Sequence, residues 1–107
     1  MGEQEIFEAD TLDPVFILGR ARELAATVFR RFVAERFEAF RTVTITVRFS
    51  GFTVSRSRTG KAPFTGEEQL QDEVRQLLEP FFDVRENPKG KKIRLVGVRV
   101  EKLLATR

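Results

Sequence analysis

Basic residues concentrate in two stretches of this chain, residues 41–61 and 91–102, and the first stretch is also rich in Thr and Ser. The basic residues of the two stretches are Arg41, Arg48, Arg56, Arg58, Lys61, Lys91, Lys92, Arg94, Arg99 and Lys102. The first stretch contains no acidic residue, and the second contains only Glu101. Guanidinium groups together with small O–H and N–H donors are the groups that phosphate oxygens bind. The net charge is only +3, so it is the segregation of charge that predicts a phosphate-binding surface.

Residue types that commonly carry catalysis are missing from the sequence. The chain contains 0 His and 0 Cys, which removes the usual general base near neutral pH and all thiolate or disulfide chemistry. A zinc site would need carboxylates alone, which is uncommon. We therefore expect a binding domain that holds no cofactor or metal, and not an enzyme.

The first part of the chain predicts a strand followed by a long helix. Residues 1–11 have the pattern of a short extended segment. Asp13 and Pro14 are typical of an N-cap and the first helical position. Apolar residues then recur at helical spacing as far as about Arg36; they are Ile17, Ala21, Leu24, Val28 and Phe32.

A β-hairpin is predicted over residues 42–59. In residues 42–49 apolar side chains alternate with threonines and one arginine, which indicates one buried and one polar face. Ser50 and Gly51 supply a tight turn, and residues 52–59 return as the second strand.

A second helix and a final strand complete the pattern. Thr65 and Glu68 match a capping box, and the helix after them ends near Pro80. In the final strand, residues 91–103, the apolar residues before and after Gly97 occupy opposite phases; they are Ile93, Leu95, Val98 and Val100. A β-bulge at Gly97 would restore a single apolar face. With that bulge, Arg94 and Arg99 point the same way, out of the core.

The element order predicts the fold class. Strand, helix, strand, strand, helix and strand follow one another within a single domain, residues 1–107. Each helix has one apolar stripe, so both are expected on one face of a four-stranded antiparallel sheet, leaving the other face open. The prediction is an α+β two-layer sandwich. Strand phase adds Thr46 and Arg48 to the open face as phosphate-binding candidates.

Three other interpretations are compatible with parts of this pattern. Basic residues on an exposed sheet can be merely solvated and can discourage edge pairing. An RNA-binding module is an alternative, but its platform needs exposed aromatic residues on the central strands, where this chain has Thr and Arg. A protein-interaction module would need an apolar patch on the open sheet. Most of the 11 Phe fall in core phase, which favours a duplex over a single strand as the ligand.

Three segments together have a recognisable sequence. Residues 5–10, 42–59 and 93–100 read EIFEAD, TVTITVRFSGFTVSRSRT and IRLVGVRV. In this order they resemble the C-terminal little finger domain of Y-family translesion DNA polymerases, the DNA polymerase IV and ImpB/MucB/SamB-type enzymes. The resemblance extends over nearly the whole chain.

The resemblance implies a way of binding DNA. The family's domain lays its open sheet in the major groove of double-stranded primer–template DNA and contacts phosphates, mostly without contacts to bases. Carried over by position, the phosphate-binding residues are Ser55, Arg56, Ser57, Arg58, Thr59, Arg94 and Arg99. A purely structural role for Ser55 and Ser57, at the end of a hydrogen-bond ladder, is the alternative.

The resemblance also implies what accompanies this domain. The family's catalytic acids hold two magnesium ions in a palm domain that this chain lacks, so the chain alone cannot polymerise DNA. The polymerase catalytic core and a sliding clamp are the further partners, although no clamp-binding peptide is visible at residues 103–107. We expect a piece of a longer protein, or alternatively a free-standing homologue. No apolar run approaches the ~20 residues of a membrane span, and no signal peptide is visible, so the cytoplasm is the expected compartment.

Overall fold

The sheet brings the last strand of the chain beside the first. The structure, a computed structural model, describes residues 1–105. Its elements are β1 (Gly2–Thr11), α1 (Pro14–Ala34), β2 (Phe37–Phe49), β3 (Phe52–Phe64), α2 (Glu67–Leu78), a 3-10 helix (Glu79–Phe82) and β4 (Ile93–Ala105). The strands form one antiparallel sheet in the order β1-β4-β2-β3. This confirms the predicted α+β fold and its element order.

Helix α1 begins at Pro14 because Asp13 caps it. One carboxylate oxygen of Asp13 accepts hydrogen bonds from the backbone N–H groups of Val15 and Phe16, at 3.0 and 3.4 Å. The helix buries one stripe against the sheet, formed by Ile17, Ala21, Ala25, Val28 and Phe32. No helix within residues 1–105 is long and apolar enough to cross a membrane.

The cap of α2 lies one residue later than Thr65, where it was predicted. Gly66 is the N-cap. The Gln69 side-chain oxygen accepts from the N–H groups of Thr65 and Gly66, at 2.8 and 3.0 Å. The capping role predicted for Thr65 and Glu68 is therefore wrong, because Gln69 reaches back to satisfy the first free N–H groups.

The core lies between the helices and one face of the sheet. Its largest fully buried side chains include Phe32, Phe40, Phe81, Ile45, Leu70 and Leu78. In β2 the alternating residues Val43, Ile45 and Val47 are each fully buried. Because successive side chains on a strand point to opposite faces, the residues between them lie on the face that no helix covers.

The predicted bulge at Gly97 is wrong. Gly97 pairs with Thr46 in regular register, whereas the shift between β2 and β4 falls where Phe49 faces Ile93 and Arg48 faces Leu95. The extra residue is therefore Arg94. Ile93 lies on the core face before the extra residue, and after it the valines of β4 occupy every second position on that same face. Apolar phase alone could not separate these cases, because Leu95 is fully buried although it shares a face with Arg48.

Candidate nucleic-acid interface

Hydroxyl groups form a continuous lane along the open face of β2 and β3. Three cross-strand pairs make up this hydroxyl lane: Thr42–Thr59 at 2.8 Å, Thr44–Ser57 at 2.8 Å and Thr46–Ser55 at 3.3 Å. Thr42 and Thr44 are only 7% and 4% exposed, so the strand packing holds their rotamers. A hydroxyl has one donor and two acceptor lone pairs, so each pair keeps hydrogen-bonding capacity for a ligand above the sheet.

Arg48 extends the lane at the hairpin end. It lies opposite Thr53 across the strand pair, and its Nε donates to the Thr53 hydroxyl at 3.3 Å. Within residues 1–105, Arg48 forms no ion pair with a carboxylate. The Arg48 guanidinium is thus held through Nε, and the N–H groups of its two terminal nitrogens stay available to donate to a ligand.

Arg99 stands beside the lane on β4, and it has an acidic neighbour. It lies opposite Thr44, and its Nε donates to Glu101 at 3.1 Å. The same carboxylate oxygen of Glu101 accepts from the Thr44 hydroxyl at 3.2 Å. Glu101 is therefore a carboxylate on the open face, held by Arg99, which was predicted to bind phosphate, and by Thr44.

Arg94, at the bulge, is exposed and bound to β1. Its guanidinium donates to the two carboxylate oxygens of Asp10 at 3.2 and 3.4 Å. Arg94 and Arg99 both lie outside the core, as predicted, but each is paired with a carboxylate from a strand of the same sheet.

Arg56 and Arg58 lie on the other side of the edge strand β3. They face Ile45 and Val43 across the strand pair, both core residues, so their side chains leave the sheet towards the helix layer. Arg56 forms an ion pair with Glu86. Arg58 donates to side-chain oxygens of α2, to Gln76 at 2.8 Å and to Glu73 at 3.4 Å. Both arginines stay partly exposed, at 46% and 55%.

The structure therefore divides the nine predicted site residues into two groups. Six lie together on the open face: Thr46, Arg48, Ser55, Ser57, Thr59 and Arg99. The other three lie elsewhere: Arg94 is at the bulge of β4, and Arg56 and Arg58 point to the helix layer. The period-2 alternation of β3 could have separated the arginines from the serines in advance.

Two further groups on the open face were not predicted as site residues. Thr42 and Thr44 belong to the lane, and the polar phase of β2 was the signal for them. Gln4 joins the face because β1 pairs Gln4 with Gly97. No local pattern gives that register, since it depends on pairing residues more than ninety positions apart.

Carboxylates cluster on the opposite layer without forming a metal site. No group of three or more potential metal ligands comes together within residues 1–105. On α2, a hydrogen bond from Arg75 lowers the pKa of Asp72 below its usual value. In the loop after the 3-10 helix, hydrogen bonds from the Arg85 side chain and backbone lower the pKa of Asp83. Both carboxyls thus serve as structural partners of arginines.

Comparison with known proteins gives consistent results. Residues 1–107 match the family described as "impB/mucB/samB family C-terminal domain". The chain is 36% identical over 104 residues to DNA polymerase IV of Methanoculleus marisnigri, covering 96% of this chain and 27% of that protein. It is 31% identical over 101 residues to DNA polymerase IV of Leptospira interrogans, covering 92% and 28%. The chain thus spans about a quarter of the length of these curated relatives.

Solved structures share the fold. DinB from Sulfolobus solfataricus superposes with a TM-score of 0.80 at 15% identity, over 98% of this chain and 29% of that one. A little finger domain of PolIV, solved in complex with a beta-clamp processivity factor, superposes with a TM-score of 0.69 at 16% identity, over 99% and 88%. At these identities the likeness concerns the fold alone.

Proposed function

Because this chain belongs to the impB/mucB/samB C-terminal domain family, the little finger domain of Y-family DNA polymerases, we propose that its open sheet face binds the phosphates of duplex primer–template DNA. The observation that carries the proposal is the hydroxyl lane, with Arg48 and Arg99 beside it. Phosphate contacts need donors at fixed positions, and the paired hydroxyls of β2 and β3 are fixed by one another. The domain would hold DNA during damage bypass by its parent polymerase.

The nature of the face supports a duplex backbone as the ligand. The open-face positions of the four strands carry no aromatic side chain within residues 1–105, so bases of a single strand would have no stacking platform. Phe52 is exposed at the hairpin tip, but its ring stacks on Phe49 and is covered by the Lys91 ammonium at 4.9 Å. A lane of hydroxyls suits phosphates, whereas an RNA platform needs rings.

The remaining predicted arginines would bind DNA only by exchanging their carboxylate partners for phosphates. Arg94, Arg56 and Arg58 each hold a carboxylate, so a phosphate must replace Asp10, Glu86 or Glu73 before they contribute. The Arg94–Asp10 pair lies at the surface, where an ion pair is worth roughly 0–1 kcal/mol, which a charge-assisted bond to phosphate can offset; Glu86 and Glu73 are more buried, at 27% and 15% exposure. Their contribution to binding is therefore smaller than that of Arg48.

We further propose that this domain supplies no catalytic residue to its parent. The polymerase activity, with its magnesium ions, would reside in the parts of the parent protein that this chain does not span. The beta-clamp complex of a structural neighbour supports a sliding clamp as a second partner of the parent. The polymerase catalytic core of the parent would be the third partner.

Fluorescence anisotropy of a labelled primer–template duplex tests the proposed interface. We expect sequence-independent binding whose log–log salt slope is about −0.9 for each phosphate neutralised. Arg48→Ala with Arg99→Ala should weaken binding and make the slope shallower by roughly two such increments. The control, Arg22→Ala with Arg30→Ala, removes the same charge from exposed positions of α1 and should change the slope little. Equal losses in both variants, or no binding at low salt, would contradict the proposal.

A further inference from the structure

Gly97 occupies the middle of β4 without a structural need for glycine. Its φ lies outside the left-handed region, since Gly51 and Gly90 are the glycines with positive φ within residues 1–105. A Cβ placed on it would meet the Cβ atoms of Gln4 and Thr46 at 3.4 Å, the lower limit of ordinary van der Waals contact. Glycine inside a strand weakens it relative to alanine. Its presence here calls for a reason other than packing.

The missing side chain leaves a recess in the open face. Gly97 stands in a row across the whole sheet, between Gln4 of β1 and Thr46 of β2, with Ser55 of β3 beyond. The cavity above this row, here called the Gly97 recess, has a volume of about 290 Å³ and is also lined by Gly2 and Arg99. The row lies within the proposed DNA-binding face.

Hydrogen-bond donors surround the Gly97 recess. The Thr46 hydroxyl has only the Ser55 hydroxyl as a partner, at 3.3 Å, and the exposed Gln4 amide has none within residues 1–105. Arg99 binds Glu101 through Nε alone, which leaves both terminal nitrogens as donors. Gly2 lacks the Cβ that would crowd the Arg99 side chain at 3.2 Å. These donors converge from three strands.

The nearest carboxylates do not occupy the recess. Glu3 lines it, but its carboxylate forms an ion pair with Arg31 of α1 at 2.6 Å, on the helix side of β1. Glu101 lies two rows farther along, opposite Thr42, and is bound to Arg99 and Thr44. The recess is therefore a small polar cavity with an excess of donors and a cationic wall, which suits a tetrahedral oxyanion.

We propose that the Gly97 recess binds a single phosphate group of the DNA backbone, with Arg99, Thr46 and Gln4 as its donors. The inference rests on the proposed function and deepens it, because it assigns one phosphate to one place on the open face. Gly97 contributes by having no side chain, because a side chain there would raise the floor of the recess and push the phosphate out of reach of the three donors.

Gly97→Ala is the direct test, because the added methyl fits the sheet but fills the recess. We expect a melting temperature equal to or above that of the wild type, severalfold weaker duplex binding and a salt slope shallower by about 0.9, the value for one phosphate. Gly19→Ala is the matched control: it adds the same methyl to α1, where nothing lies within 4 Å, and should leave duplex binding unchanged. Wild-type affinity and slope in Gly97→Ala would overturn the proposal while leaving the proposed function intact.

A second measurement separates the recess from the DNA interface as a whole. Inorganic phosphate is titrated into the ¹⁵N-labelled 107-residue chain, and the backbone N–H resonances of Gln4, Thr46 and Gly97 are followed. Saturable shifts in the wild type that Gly97→Ala abolishes would support phosphate binding in the recess, whereas failure of the duplex to bind would contradict both its assignment to DNA and the proposed function. Absence of such shifts, together with absence of duplex binding, would reject both.

Discussion

At Arg99 a carboxylate already holds the donors that a phosphate would use. Glu101 accepts from Arg99 Nε and from the Thr44 hydroxyl through one oxygen, which is how a phosphate oxygen would bind there. Glu101 thus keeps the donors oriented in the free domain and competes with DNA for them. The face is therefore preorganised for an anion, at a cost in affinity.

Removing that charge should strengthen DNA binding. Glu101→Gln keeps the size and an acceptor oxygen but ends the repulsion of the phosphate, worth about 1 kcal/mol at a few ångströms in water. We expect roughly fivefold tighter duplex binding at low salt, measured by anisotropy. Glu68→Gln makes the same charge change on α2, at an exposed residue, and should leave the affinity nearly unchanged. Unchanged or weaker binding in Glu101→Gln would show that its carboxylate does not compete with DNA.

The two arginines of β3 show what a residue-level assignment from sequence omits. Five consecutive residues, 55–59, were predicted to bind phosphate, yet consecutive residues on a β-strand point to opposite faces. The serines meet the threonines of β2 on the open face, and the arginines meet Glu86 and the side chains of α2. The hydroxyls could be predicted from phase, whereas the acidic partners come from distant elements and could not.

At the scale of elements, the β2–β3 hairpin fixes the register of the hydroxyl lane. Phe49 pairs with Phe52, which leaves Ser50 and Gly51 as the turn, and Gly51 adopts a φ of +94°. An L-residue is strained in that conformation. The turn therefore specifies which threonine of β2 faces which hydroxyl of β3.

Gly51→Ala should destabilise the domain through the backbone alone. A Cβ there would meet nothing within 4 Å, so the expected loss of about 1 kcal/mol comes from the left-handed conformation. Gly19→Ala, inside α1, should instead stabilise by up to about 1 kcal/mol. Urea unfolding of both variants measures the difference. A shift of the same sign in both would mean that the turn does not constrain the hairpin as described.

Element types were predictable and their junctions were not. The periodicity of apolar residues was sufficient to predict α1 and β2, because each of them buries one regular stripe of side chains. The bulge was predicted at the wrong residue because Leu95 is buried without belonging to the helix-side core cluster. Its apolar side chain suggested that it faces the helices, whereas it lies on the open face. Strand β3 continues beyond Thr59 to Phe64 through an irregular register opposite Phe40 and Thr42, which no alternation in the sequence indicated.

At the scale of the whole molecule, acidic residues concentrate on α2 and the loop that follows it. The carboxyls of Asp72 and Asp83 lie with α2 and the loop that follows it, and bound arginines lower their pKa from the ordinary 3.8. A group whose folded pKa is lowered stabilises the fold above its unfolded pKa and loses that contribution as the pH falls through the folded value. The helix layer should therefore lose stability in acid below about pH 4.

Thermal unfolding at pH 6 and pH 3 tests this dependence. Asp72→Asn with Asp83→Asn should lower the melting temperature at pH 6 and lower it by less at pH 3, because the stabilisation from a carboxyl with a lowered pKa declines once the pH falls below its unfolded value. Glu8→Gln with Glu38→Gln, at two exposed strand positions, serves as the control. An equal difference from the wild type at both pH values would contradict the role given to these ion pairs.

The central claim is that DNA lies on the open face of the sheet and not on the helices or the β3 edge. Its most direct test is a ¹⁵N–¹H titration of the domain with a primer–template duplex. We predict saturable shifts in the rows that contain Thr44, Thr46, Ser57 and Gly97, with α1 and the outer face of α2 unaffected. Shifts confined to the helices, or to Arg56 and Arg58 with none in the hydroxyl lane, would contradict the account.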